Sequence, residues 1–66
     1  MKVKNEYHKG FAAGIVYALG RLVEIYDQPT IANDILKESG VDVRHASEYD
    51  VAFLRKENPK LRRGKD

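Results

Sequence analysis

The stretch Asn5–Tyr26, NEYHKGFAAGIVYALGRLVEIY, decides the fold. Its apolar residues fall into two parallel series with steps of three and four: Phe11, Ile15, Ala18, Leu22, Ile25, and beside it Ala12, Val16, Leu19, Val23, Tyr26. Adjacent series of this kind form one broad apolar face, the pattern of a long helix lying across a small core. The opposite side is unusual. Gly10, Ala13, Gly14, Tyr17 and Gly20 stand where a surface helix ordinarily carries Lys and Glu, and only Arg21 and Glu24 are charged there. Three glycines in a helix interior forfeit roughly 2–3 kcal/mol of helix propensity relative to alanine. A close neighbour should offset that loss. Gly10 and Gly14 have the small-xxx-small spacing that lets two helix backbones approach. The face Gly10, Ala13, Gly14, Tyr17, Gly20 and Arg21 is therefore the candidate interface, covered either by a later helix of the same chain or by a second chain.

Working outward, Asp27-Gln28-Pro29 ends the first helix and starts a second, since proline is tolerated at the first helical position. The second helix runs from Pro29 to Ser39, with Ile31, Ala32, Ile35 and Leu36 as its apolar stripe. Asn33, Asp34, Lys37 and Glu38 face water, and Gly40 supplies a left-handed end. The short connection predicts an antiparallel helical hairpin. Val41-Asp42-Val43 reads as an extended connector whose valines plug the core. A third helix spans Ala46 to about Glu57, with Ala46, Tyr49, Ala52 and Phe53 inward and Val51 and Leu54 on the flank. Ser47 followed by Asp50 gives an N-cap signature, and Asn58-Pro59 stops the helix. The expected architecture is an all-α, three-helix domain over residues 1–58 with a basic, frayed tail over 59–66.

The whole chain has 66 residues, 12 Lys+Arg against 10 Asp+Glu, 42% hydrophobic residues and no cysteine. One small domain with a thin core fits that length, and disulfides and thiolate metal sites are excluded. Oligomerisation, to a dimer, or a partner protein is therefore expected to bury more surface. Charge is unevenly placed. Lys2, Lys4 and Lys9 outnumber Glu6 at one end, and Arg55, Lys56, Lys60, Arg62, Arg63 and Lys65 outnumber Glu57 and Asp66 at the other. Between them three cations face seven carboxylates. The uncharged run Gly10–Gly20 is too short for the ~18–20 apolar residues of a membrane span. With no secretory cleavage pattern in view, a cytoplasmic location is expected.

No arrangement of residues points to catalysis. His8 and His45 lie in different elements, and neither belongs to a His-x-x-x-His pair, so no metal is expected. Glu48 and Asp50, two apart on a helix, point to different faces and do not form a carboxylate pair. Ser39 and Ser47 read as a helix end and a cap. The glycine spacing matches no phosphate loop. We expect no enzyme activity and no cofactor. Nucleic-acid binding is the alternative, through the basic residues Arg55, Lys56, Lys60, Arg62 and Arg63, which could track a phosphate backbone. A helix-turn-helix does not fit: eight positions separate Ala32 from Gly40, and Glu48 and Asp50 would face phosphate. Protein interaction takes precedence. Four tyrosines are generous for this length and suit half-wet interfaces, Tyr17 above all.

Tyr7-x-x-Gly10, Gly14, then Pro29-Thr30-Ile31-Ala32-x-x-Ile35-Leu36-x-x-Ser39-Gly40 and Glu48-Tyr49-Asp50 with Leu54-Arg55 together resemble small helical accessory proteins of phages and prophages. The resemblance spans about residues 7–55 and carries no site signature. It implies a mobile-element accessory protein that binds a host protein and inhibits or modulates it by occlusion.

Overall fold

In the computed structural model, which describes residues 2–61, the chain is an all-α domain. It comprises α1 (Lys2–Tyr26), α2 (Pro29–Ser39), a 3-10 turn (Val43–His45) and α3 (Glu48–Leu54), with no strand among the described residues. At about 1.5 Å per residue, the 25 residues of α1 account for the longest dimension of the molecule, 37 Å. Everything else packs on that axis: α2, the 3-10 turn and α3 all contact α1.

The elements begin and end for local reasons. Asp27 takes a left-handed backbone angle, φ 53°, which short polar side chains tolerate better than most. Its N–H donates to the Val23 carbonyl at 3.0 Å, and Pro29 opens α2 two residues later. Gly40, at φ 68°, closes α2 with its N–H on the Leu36 carbonyl. The extended connector expected at 41–43 is instead the approach to a 3-10 turn, because the Asp42 carboxylate accepts the Arg44 N–H at 2.9 Å and caps it. Val43 is buried in the core, as expected of a plug.

The third helix is shorter than the Ala46–Glu57 span read from the sequence. Ala46 is extended, with its N–H committed to the Val43 carbonyl, so the helix starts only after Ser47, whose hydroxyl accepts the Asp50 N–H at 3.2 Å. Beyond Leu54 the N–H groups of Lys56 and Glu57 turn back to carbonyls three residues earlier, and Pro59 cannot extend a helix. Of the tail drawn over 59–66, residues 59–61 are described. Leu61 packs against the core and its carbonyl accepts Arg55 Nε at 2.6 Å, so residues 59–61 belong to the body.

The core consists of Val16, Leu19 and Val23 from α1, Ala32 and Leu36 from α2, Val43 and Ala46 from the turn and its end, and Val51 and Leu54 from α3. Three expectations are corrected by it. Of the two apolar series on α1, only Ala12, Val16, Leu19 and Val23 are buried, while Phe11, Ala18, Ile25 and Tyr26 are exposed. On α2, Ala32 and Leu36 point inward and Ile31 and Ile35 outward. The α3 stripe is shifted: Asp50, Val51 and Leu54 are buried and Tyr49 and Ala52 lie outside, while Ala46 is buried and Phe53 packs against the core as expected. The first has a plain cause. Helices of 11 and 7 residues cover a single side of a 25-residue helix and no more. Asn33, expected in water, is half-buried and its amide donates to the Pro29 and Leu54 carbonyls, tying α2 to the end of α3.

α1 and α3 approach closely at Gly20. A Cβ there would lie 3.2 Å from the Asp50 carbonyl oxygen and 3.4 Å from its Cα, both fixed parts of α3, whereas a Cβ on Gly10 would meet nothing within 4 Å. Gly20→Val should therefore lower stability by about 1–3 kcal/mol through overpacking. Gly10→Ala should raise it by about 0.8–1 kcal/mol through helix propensity. Urea unfolding of the two variants checks the opposite signs. A second prediction concerns the 3-10 turn, where hydrogen bonds from the Arg44 side chain, and then from its N–H, hold the Asp42 carboxyl down at about 2. A carboxyl depressed by folding contributes stability above its ordinary titration range and loses that contribution as the pH falls toward 2. Carbon-detected NMR titration should find Asp42 titrating near that value, and Arg44→Ala should move it upward toward the ordinary carboxylate range.

Candidate functional site

The six residues proposed as an interface do not form one surface. Gly20 is buried beneath α3, Arg21 beside it is half-buried, and so is Ala13 two turns away. Gly10, Gly14 and Tyr17 are exposed, and an added Cβ at Gly14, as at Gly10, would enter open space. The same chain thus covers one end of the glycine face and leaves the other bare.

At the covered end Arg21 is the hub. Its Nη1 donates to Asp50 Oδ1 at 2.8 Å and its Nε to Glu24 Oε1 at 2.6 Å. The guanidinium carbon lies 5.0, 5.2 and 5.4 Å from the ring centres of Tyr17, Tyr49 and Phe53. Tyr49 and Phe53 meet edge to face at 5.2 Å, and the Tyr49 hydroxyl donates to Glu24 Oε2 at 3.0 Å. The hydrogen bond to Asp50 holds Arg21 more firmly protonated than usual, and donation to Glu24 pushes the Tyr49 phenol up. These groups neutralise and enclose one another, which makes the cluster a clamp between α1 and α3. It presents no nucleophile and no free base.

Other polar groups occupy structural positions. Ser47 caps α3, and Ser39 donates to the Leu36 carbonyl at 2.8 Å. Asp50 turns inward to Arg21 while Glu48 is exposed and paired with Arg55, the divergence expected for positions two apart. His8 and His45, distant in sequence, are brought together by the contact of α1 with the 3-10 turn, their rings perpendicular with centres 6.4 Å apart. No group of three His, Asp or Glu side chains that could hold a metal is present among the described residues. An open cleft lies between α2, the following connector and the chain after α3, lined by Asn33, Lys37, Val41, Asp42, Glu57 and Leu61. Of the basic candidates, Arg55 binds Glu48 and the Leu61 carbonyl, Lys56 is exposed near the Phe53 ring, and Lys60 is exposed. Arg62 and Arg63 lie outside the described residues.

The surface missed in the sequence is the bare side of α1. Tyr7 is 74% exposed, Phe11 47% and Ile25 64%; Gly14 and Ala18 are exposed between them, and Leu22 is half-buried. Steps of four, three, four, four and three residues align them along one side of the helix, opposite the core series. The Tyr7 and Phe11 rings are nearly parallel at 6.4 Å. Its signal is present in the sequence in the series Phe11, Ile15, Ala18, Leu22, Ile25, which periodicity alone places in the core together with its neighbour. No protein-family model matches this chain, and no curated protein or solved structure does either.

Breaking the clamp should be costly out of proportion to its exposure, because a buried charge left without its partner is strongly unfavourable. Asp50→Ala should lower the urea midpoint more than Glu24→Ala. In Arg21→Met/Asp50→Leu the losses should be less than additive, since neither charge is then stranded. Strictly additive losses in the cycle would mean that the pair is not coupled.

Proposed function

We propose that this protein is a small non-catalytic interaction module that works by occupying the surface of another polypeptide. The observation that carries this reading is the solvent-facing strip of α1, Tyr7, Phe11, Gly14, Ala18 and Ile25. A contiguous apolar patch on a small soluble domain marks an interaction surface more often than an accident of composition. Its chemistry suits a helix or a flat apolar surface: aromatic rings at one end, an aliphatic residue at the other, small residues in the middle and no charge from Gly10 to Gly20.

In the cell the target of such a module is a host protein, inhibited or modulated by occlusion, as the resemblance to phage and prophage accessory proteins implies. The proposed site of action is the cytoplasm; no helix among the described residues is long and apolar enough to cross a membrane. Occlusion needs only buried area and shape, so the lack of a converging acid, base and nucleophile in the Arg21 clamp is compatible with it.

A photo-crosslinking residue at position 18, with position 34 on the outer side of α2 as control, tests the reading in cells that make the protein. Position 18 should give polypeptide adducts that disappear with Phe11→Asp, and position 34 should not. Absence of any polypeptide adduct at 18 would overturn the proposal. Salt-sensitive retention on DNA or RNA that survives Phe11→Asp but is lost on removing residues 59–66 would move the function to nucleic acid.

A further inference from the structure

Taking the strip to be a protein interface, as proposed above, we infer that its resting occupant is a second copy of this chain, with the two α1 helices packed antiparallel about a two-fold axis near residue 16. The strip is built to face its own reverse. Tyr7, Phe11, Gly14, Ala18, Arg21 and Ile25 follow alternating steps of four and three, the spacing of a helix–helix seam. The core residues Ala12, Val16, Leu19 and Val23 lie on the other side of the same helix. In the reversed register each position meets the one that sums with it to thirty-two. Gly14 then lies opposite Ala18 of the second copy at the centre, where the backbones must come closest and where neither side chain obstructs them. Tyr7 meets Ile25 at both ends.

Charge is compatible with this pairing. Arg21 is the only charged residue on the seam, and Asp50 and Glu24 of its own chain already neutralise it. In the reversed register it faces Phe11, a ring, and no second cation. A parallel pairing would set Arg21 against Arg21 and leave Tyr7, Phe11 and Ile25 each facing its own copy. Area agrees as well. With aromatic side chains of about 150–250 Å² each, the exposed parts of Tyr7, Phe11, Tyr17 and Ile25 offer about 450–500 Å² per chain. Adding the small residues between them, two copies bury at most about 1,000–1,200 Å², the size of a weak, transient interface. The dimer is therefore one that dissociates on dilution, which leaves the strip available to a heterologous target that competes for it.

The test uses the full chain, which has no cysteine of its own. Light scattering across a dilution series should give twice the 7.5 kDa chain mass at high concentration and fall toward the single mass on dilution. Gly14→Leu, whose side chain enters open space in the single chain, should give only the single mass at every concentration with unchanged helical circular dichroism. Chains carrying Gly14→Cys mixed with chains carrying Ala18→Cys should oxidise mainly to the mixed disulfide. Predominance of the two like-with-like disulfides would overturn the antiparallel register, and a double mass that persists in Gly14→Leu would overturn the surface. A wild-type chain that is monomeric throughout, yet still forms heterologous adducts from position 18, would overturn self-pairing while leaving the interaction reading in place. Loss of both would overturn both.

Discussion

The close approach of α3 to α1 at Gly20, locked by the Arg21–Asp50 ion pair, is the constraint on which the rest of this structure depends. A seven-residue helix has no independent stability in water, so α3 exists only because it is capped by Ser47 and held against α1. Glycine at position 20 allows the Asp50 backbone to come within reach, and that proximity buries the Asp50 carboxylate. A buried carboxylate requires a cation, which Arg21 supplies from the next position on α1. Once drawn in, the guanidinium collects Glu24 on one edge and the faces of Tyr17, Tyr49 and Phe53 around it. The position of α3 then fixes which side of α1 is core. Because α2 and the 3-10 turn close the same core, nothing among the described residues covers the opposite side of α1.

The functional reading follows from that asymmetry. The polar groups at the helix contacts serve the fold: the Ser39 and Ser47 hydroxyls bond helix ends, and Arg21 pairs with both Asp50 and Glu24. What faces solvent in excess is apolar surface at helical spacing. The protein-interaction reading rests on this excess, and self-pairing is one way to remove it from water without additional chain. The two uses of the strip are connected, since a weak pairing between copies and capture of a target would draw on the same side chains.

Much of the local structure was legible. Pro29 as a start, Gly40 as a left-handed stop and Ser47 as a cap are each imposed by the chemistry of one residue acting on its own backbone, and each is found where it was read. The register of α3 was not. Tyr49, Ala52 and Phe53 on one side compete with Val51 and Leu54 on the other, and in seven residues the periodicity barely separates them. Placing a carboxylate inside contradicts the simplest hydrophobic rule, and its justification, Arg21, stands 29 positions away. The same holds for His8 and His45, whose proximity exists only in the folded chain. The candidate site was half legible. Gly10, Gly14 and Tyr17 were singled out and do face solvent, but Phe11, Ala18 and Ile25 beside them were assigned to the core.

By itself the sequence determined an all-α chain, the break between α1 and α2 and the end of α2, and that α1 carries more apolar and small-residue surface than an ordinary surface helix. Only the tertiary structure decided which of the two apolar series is buried, which glycine is a contact and which is bare, and that Asp50 is inside. The physical reason is competition for cover. Periodicity shows which faces would gain from leaving water, but the amount of chain available to cover them is a property of the whole, and here it is enough for one side of α1.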